Sequence, residues 1–104
     1  MQLSMQGRVA VVTGASRGLG KAMAHAFAGA GASVALIARG QDVLAAAASS
    51  ITTETGAKTL AVVGDVSSAQ ECKRIIAEVE AGLGPVDVLV NNAGSSARGV
   101  FEDI

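Results

Sequence analysis

Tyrosine and tryptophan are absent from this 104-residue sequence, and phenylalanine occurs twice. The core must therefore be built from Ala, Val, Leu and Ile, and no phenol is on hand to act as an acid or base. Cys72 is the sole cysteine, which excludes an intrachain disulfide and a multi-cysteine zinc site and suits a reducing compartment. As an unpartnered helix residue it reads as semi-buried packing. Charge is sparse, at 16% of residues with a net of −1, and the eight Lys and Arg are scattered. No basic stripe able to grip a phosphate backbone results, so nucleic acid is excluded as a partner. No apolar run nears the roughly 18 residues of a membrane span, and Met1 to Arg8 lacks the basic-then-apolar order of a signal peptide. A cytoplasmic location and no membrane partner are the expectations.

Half of the residues are hydrophobic, a balance too apolar for a disordered chain, at a length that allows one domain and not two. Short β-branched runs alternate with longer alanine-rich stretches. Val9 to Thr13, Ser33 to Ala38, Thr59 to Val63 and Val86 to Val90 read as buried strands, with Asp87 near the start of the last. Gly18 to Ala30 reads as a helix with Leu19, Ala22, Met23, Ala26, Phe27 and Ala30 on its apolar face, stopped by Gly31. Gln41 to about Thr53 repeats the pattern, its Ala45 to Ala48 run small enough for close backbone approach. Ser68 and Glu71 have capping-box spacing and open a third helix, whose apolar side carries Ile75, Ile76, Val79 and Leu83 before Gly84-Pro85 ends it. Val100 to Ile104 looks like the first turn of another helix. The order β-α-β-α-β-α-β predicts an α/β, Rossmann-like, doubly wound parallel sheet with strand order 3-2-1-4.

The most informative stretch is Thr13-Gly14-Ala15-Ser16-Arg17-Gly18-Leu19-Gly20, between the first strand and the first helix. Gly14 allows a sharp exit from the strand, Gly18 removes a side chain where a pyrophosphate would approach, and Gly20 permits close helix-to-strand packing. The amides of the helix N-terminus would then face the anion. An ordinary tight turn is the plainer reading, and its place after a Val-rich strand and before an amphipathic helix argues against it. A P-loop fails, because Lys21 and Ala22 follow Gly20 without the GxxxxGK[ST] spacing.

The GxxxGxG spacing resembles the cofactor loop of the short-chain dehydrogenase/reductase family. Asp65-Val66 after the third strand is similar to that family's adenine-contacting pair, and Asn91-Asn92-Ala93-Gly94 after the fourth is similar to its NNAG motif, so the resemblance covers essentially the whole chain. It implies cofactor-binding roles for Gly14, Ser16, Arg17, Gly18, Leu19 and Gly20. It implies the same for Asp65 and Val66, and for Asn91, Asn92, Ala93 and Gly94, which would both stabilise the sheet and line the adenosine-ribose side of the cleft. Asp65 could instead be a turn or cap acid, and the asparagines a structural turn.

Sheets that bind NAD usually carry Asp or Glu at the end of the second strand, whereas NADP needs positive charge there. Here that strand ends Ile37-Ala38-Arg39-Gly40. Arg39, with Arg17 from the glycine loop, could hold a 2′-phosphate as a planar donor fork, so NADP is expected ahead of NAD. Either arginine alone could be a solvated surface charge, and Asp42 could pair with Arg39 or mimic the acid that NAD requires.

The resembled family uses a serine, a tyrosine, a lysine four residues after it and a helical asparagine for catalysis, all beyond the NNAG motif. No catalytic or metal-binding residue is therefore assigned here. Ser95 and Ser96 lie too early and have no neighbouring base, and His25 points away from the apolar stripe. The expectation is the cofactor-binding half, residues 1–104, of an oxidoreductase that transfers hydride between a nicotinamide cofactor and a carbonyl or alcohol, inactive by itself. The outer edge of the fourth strand lacks a partner, which predicts self-association or a missing second half. A non-enzymatic nucleotide-binding or self-assembling half-Rossmann module is the alternative.

Overall fold

The computed structural model describes residues 4–92. Strands β1 (Val9–Thr13), β2 (Ser33–Ala38), β3 (Thr59–Val63) and β4 (Val88–Val90) alternate with helices α1 (Gly18–Gly29), α2 (Gln41–Thr55) and α3 (Ala69–Leu83). The four strands form one sheet in the order β3-β2-β1-β4, every pair parallel. This is the Rossmann-like α/β arrangement that the alternation predicts.

The side-chain alternation of the two inner strands explains why helices lie on both faces. Ala10, Val12, Val34 and Leu36 face α1 and α2, joining Ala24, Ala28, Leu44, Ala47 and Ile51. Val9, Val11, Ala35 and Ile37 face the other way, joining Cys72, Ile75 and Val79 of α3. Cys72 is more deeply placed than the semi-buried position expected, with 3% exposure. Burial pushes its thiol pKa up.

Two expectations need correction. The apolar face of α1 is only in part the one read from the sequence: Leu19, Ala22 and Ala26 are exposed, Met23, Phe27 and Ala30 are half-buried with Phe27 packed against the core, and the buried residues are Gly20, Ala24 and Ala28. Bulk hydrophobicity misleads in an alanine-rich helix, because the residues that face the sheet are those small enough to let backbone approach backbone. The fourth strand is also shorter than Val86 to Val90. Asp87 precedes it and ties its amino end to the start of β1, its N–H donating to the Val9 carbonyl at 2.9 Å and its carboxylate accepting from the Val9 N–H at 2.8 Å. Arg8 pairs with the same carboxylate at 3.6 Å.

The helix ends are set locally. α2 runs two residues past the expected Thr53 to Thr55, and stops at Gly56 with φ +76°. The Ser68 side chain accepts from the Glu71 N–H at 3.3 Å and caps α3. The turn expected at Val100 to Ile104 lies outside the described residues.

Candidate functional site

Because all strands are parallel, the segments following Thr13, Ala38, Val63 and Val90 emerge at one edge of the sheet, where open α/β sheets bind ligands. The glycine loop, Arg39, Asp65 and the asparagines are thereby gathered from positions up to 79 residues apart, as in the contact of Asn92 with Thr13.

In the glycine loop, Gly14 and Gly18 adopt φ +62° and +61°, a region costly for a side chain. A Cβ on Gly18 would meet nothing within 4 Å, so the space before α1 is open. Ala15 is fully buried and its N–H donates to the Ile37 carbonyl at 3.1 Å, fastening the loop to β2. Ser16 is half-buried, while Arg17 and Leu19 are exposed. Arg17 occupies the cap position of α1 in extended conformation, no side chain caps the helix and no acidic residue sits in its first turn. Among the described residues, therefore, no side chain takes up the first amides of α1 at its positive dipole end, which can receive an anion.

Gly20 has a different task. A Cβ there would collide with the Gly14 carbonyl oxygen and stand 2.7 Å from Asn92 Nδ2, so glycine is what lets α1 close onto the loop and onto Asn92 beyond β4. Thr13, outside the residues singled out from the sequence as binding residues, joins the same knot. Its fully buried hydroxyl accepts from the Asn92 N–H at 2.7 Å and lies 3.3 Å from Asn91 Oδ1 and 3.4 Å from the Val90 carbonyl. The available signal was a hydroxyl closing an otherwise apolar strand. Asn92 Nδ2 donates to the Gly14 carbonyl at 3.5 Å. Both asparagines therefore brace the sheet edge. Ala93, Gly94, Ser95 and Ser96 lie outside the described residues.

Asp65 stands two residues beyond β3, exposed. Its carboxylate accepts from the Ser67 N–H at 3.0 Å, forming the turn that the plainer reading expected. That bond is the main cause of a lowered pKa, with the Arg39 charge a smaller one. The side chain nevertheless remains open to a ligand. Val66 is buried at 8% exposure among the α3-facing core, so only its backbone can face a ligand, and its carbonyl accepts from the Cys72 thiol at 3.3 Å.

Arg39 is exposed and makes no ion pair with Asp42 among the described residues. His25 is exposed on α1 and meets Glu54 of α2 at 3.1 Å. Among the described residues no His, Cys, Asp and Glu cluster could hold a metal, and no helix is long and apolar enough to cross a membrane.

The family model for short chain dehydrogenases matches residues 8–104. The chain belongs to the short-chain dehydrogenase family, and so to a family of oxidoreductases. A short-chain dehydrogenase of Pseudocercospora fijiensis is 46% identical over 102 residues, 98% of this chain and 33% of that protein. The acetoacetyl-CoA reductase of Shinella zoogloeoides is 50% identical over 95 residues, 90% of this chain and 37% of that protein. Among solved structures, L-sorbose reductase of Gluconobacter frateurii complexed with NADPH and L-sorbose superposes with a TM-score of 0.87 at 40% identity, covering 91% of this chain and 36% of that one. An alcohol dehydrogenase of Thermococcus sibiricus complexed with 5-hydroxy-NADP gives 0.75 at 40% identity, covering 79% and 35%. The chain thus spans about a third of the length of these short-chain dehydrogenases.

Proposed function

We propose that this sheet edge holds the adenosine and pyrophosphate parts of NADPH, as the cofactor-binding part of an oxidoreductase that interconverts a carbonyl and an alcohol. The observation that carries the proposal is the open, uncapped amino end of α1 behind two left-handed glycines. Its amides receive the pyrophosphate, with Gly18 making room and Ser16 and Leu19 flanking it. Asp65 accepts from the adenine amino group beside the Val66 backbone, and Asn91 and Asn92 line the ribose side. Arg39 and Arg17 take the 2′-phosphate, which favours NADP over NAD, and the NADPH and 5-hydroxy-NADP complexes of the two similar enzymes support that choice.

When bound, the nicotinamide gives or takes a hydride. The 104 residues contain no tyrosine, and we assign them binding and orientation of the cofactor, not proton transfer to a substrate. The chain by itself is expected to be inactive, and a cytoplasmic setting fits this role.

Fluorescence titration with NADPH and NADH tests the reading. NADPH should bind more tightly, and Arg39→Ala should weaken NADPH by about tenfold or more, the worth of a charged hydrogen bond, while leaving NADH within twofold. Equal affinities, or an unchanged Arg39→Ala, would remove the NADP assignment.

A second reading draws on β4, which among the described residues pairs only with β1. Its outer edge can take a further strand, from another copy or from further polypeptide, as a non-enzymatic self-assembling nucleotide-binding module would require.

A further inference from the structure

Arg74 lies on α3, outside the residues assigned to the cofactor, and its guanidinium is committed to fixed partners. Nε and Nη2 grip the two oxygens of Glu71 at 2.9 and 3.0 Å, and Nη1 donates to Glu78 Oε1 at 2.7 Å. Those bonds stay within the helix and would serve an ordinary surface ion-pair ladder. The remaining one leaves it: Nη2 donates to the Val63 carbonyl at 2.8 Å. Val63 is the last residue of β3, where the strand gives way to the loop bearing Asp65 and Val66.

Gly64 makes that reach possible. A Cβ at this position would stand 2.8 Å from Arg74 Nη2 and 2.7 Å from Ile75 Cδ1, the movable ends of two side chains, so a larger residue would displace the guanidinium from this place. An arginine pinned by two carboxylates is a planar fork with little freedom left. Its bond to Val63 therefore acts as a strut of defined length. The far side of the loop is held by the Cys72 thiol on the Val66 carbonyl and by the Ser68 cap.

We propose that Arg74 is a positioning residue for the adenine end of the cofactor, setting through the Val63 carbonyl where Asp65 and the Val66 backbone stand. This rests on the reading of Asp65 as an adenine contact. The ladder with Glu71 and Glu78 alone would stabilise α3 without any need for the bond to β3.

A double-mutant cycle on the full chain separates the possibilities, titrating whichever of NADPH and NADH binds more tightly. Asp65→Ala and Arg74→Gln should each weaken binding by about two- to tenfold, the worth of one hydrogen bond. Arg74→Gln should cost clearly less in the Asp65→Ala background, because one of the two contacts it positions is already gone. Arg74→Lys, which keeps the charge without the fork, should give a smaller loss and serves if the glutamine variant does not fold. Affinity unchanged in both Arg74 variants while Asp65→Ala weakens binding would overturn the positioning role alone. So would a loss that persists undiminished in the Asp65→Ala background. Unchanged binding in Asp65→Ala would instead overturn the adenine contact, and the positioning role with it.

Discussion

At the scale of single residues, the two glycines of the first helical turn separate backbone conformation from packing. Gly18 has a left-handed φ and open surroundings, so Gly18→Ala should cost about 1–2 kcal/mol through strain and also intrude on the space kept for an anion. Gly20 has an ordinary φ, but its neighbours are a carbonyl oxygen and the Asn92 amide. Gly20→Ala should cost about 3 kcal/mol or more by forcing backbone apart. Urea unfolding would rank them, and a Gly20→Ala as stable as Gly18→Ala would show that α1 can shift freely. Acid behaviour is set at this scale too. The hydrogen bond from Arg74 holds the Glu71 carboxyl below its ordinary range. A depressed pKa in the folded state means that this pair stabilises at neutral pH and that its contribution is lost as pH falls through the lowered value. Between about pH 5 and pH 3 the urea midpoint of the parent should therefore fall further than that of Glu71→Gln; parallel curves would contradict the pairing.

At the scale of elements, α1 shows what periodicity could and could not decide. Its existence and limits followed from the glycines at both ends, but its inward face did not. Of the six apolar candidates at helical spacing, Met23, Phe27 and Ala30 are half-buried and Leu19, Ala22 and Ala26 are exposed, and the residues buried on the sheet are Gly20, Ala24 and Ala28. Alanine scarcely distinguishes inside from outside, so the decision falls to steric fit against β1 and β2. Ala24→Leu should destabilise by about 1–3 kcal/mol through overpacking, whereas Ala26→Leu should change stability by less than about 0.5 kcal/mol. Thermal melts of the pair would check this, and the reverse order would restore the face read from periodicity. For α3 the same reasoning succeeded, because Ile75 and Val79 are large and the Ser68 cap is a specific hydrogen bond.

At the scale of the whole molecule, a sheet in order β3-β2-β1-β4 leaves β4 at one margin among the described residues. Its three residues are half-buried, and an apolar strand margin is a template for another strand. Sedimentation of the 104-residue chain should show concentration-dependent association in the micromolar range; a monodisperse monomer would count against β4 as a docking edge.

What could be read from residues alone was whatever rests on local chemistry: the order of elements, the glycine turn, the cap of α3, and the missing acid at the end of β2. Asp65 shows the limit, since one carboxylate closes a turn with Ser67 while remaining open to a ligand, and no pattern along the chain distinguishes those uses. The knot of Thr13 with Asn91 and Asn92, the approach of Gly20 to Gly14, and the reach of Arg74 to Val63 depend on distances in space between one element and the next. Periodicity is a property of neighbours along the backbone, whereas these contacts are settled by how closely the helices settle onto the sheet, and that only packing in three dimensions determines.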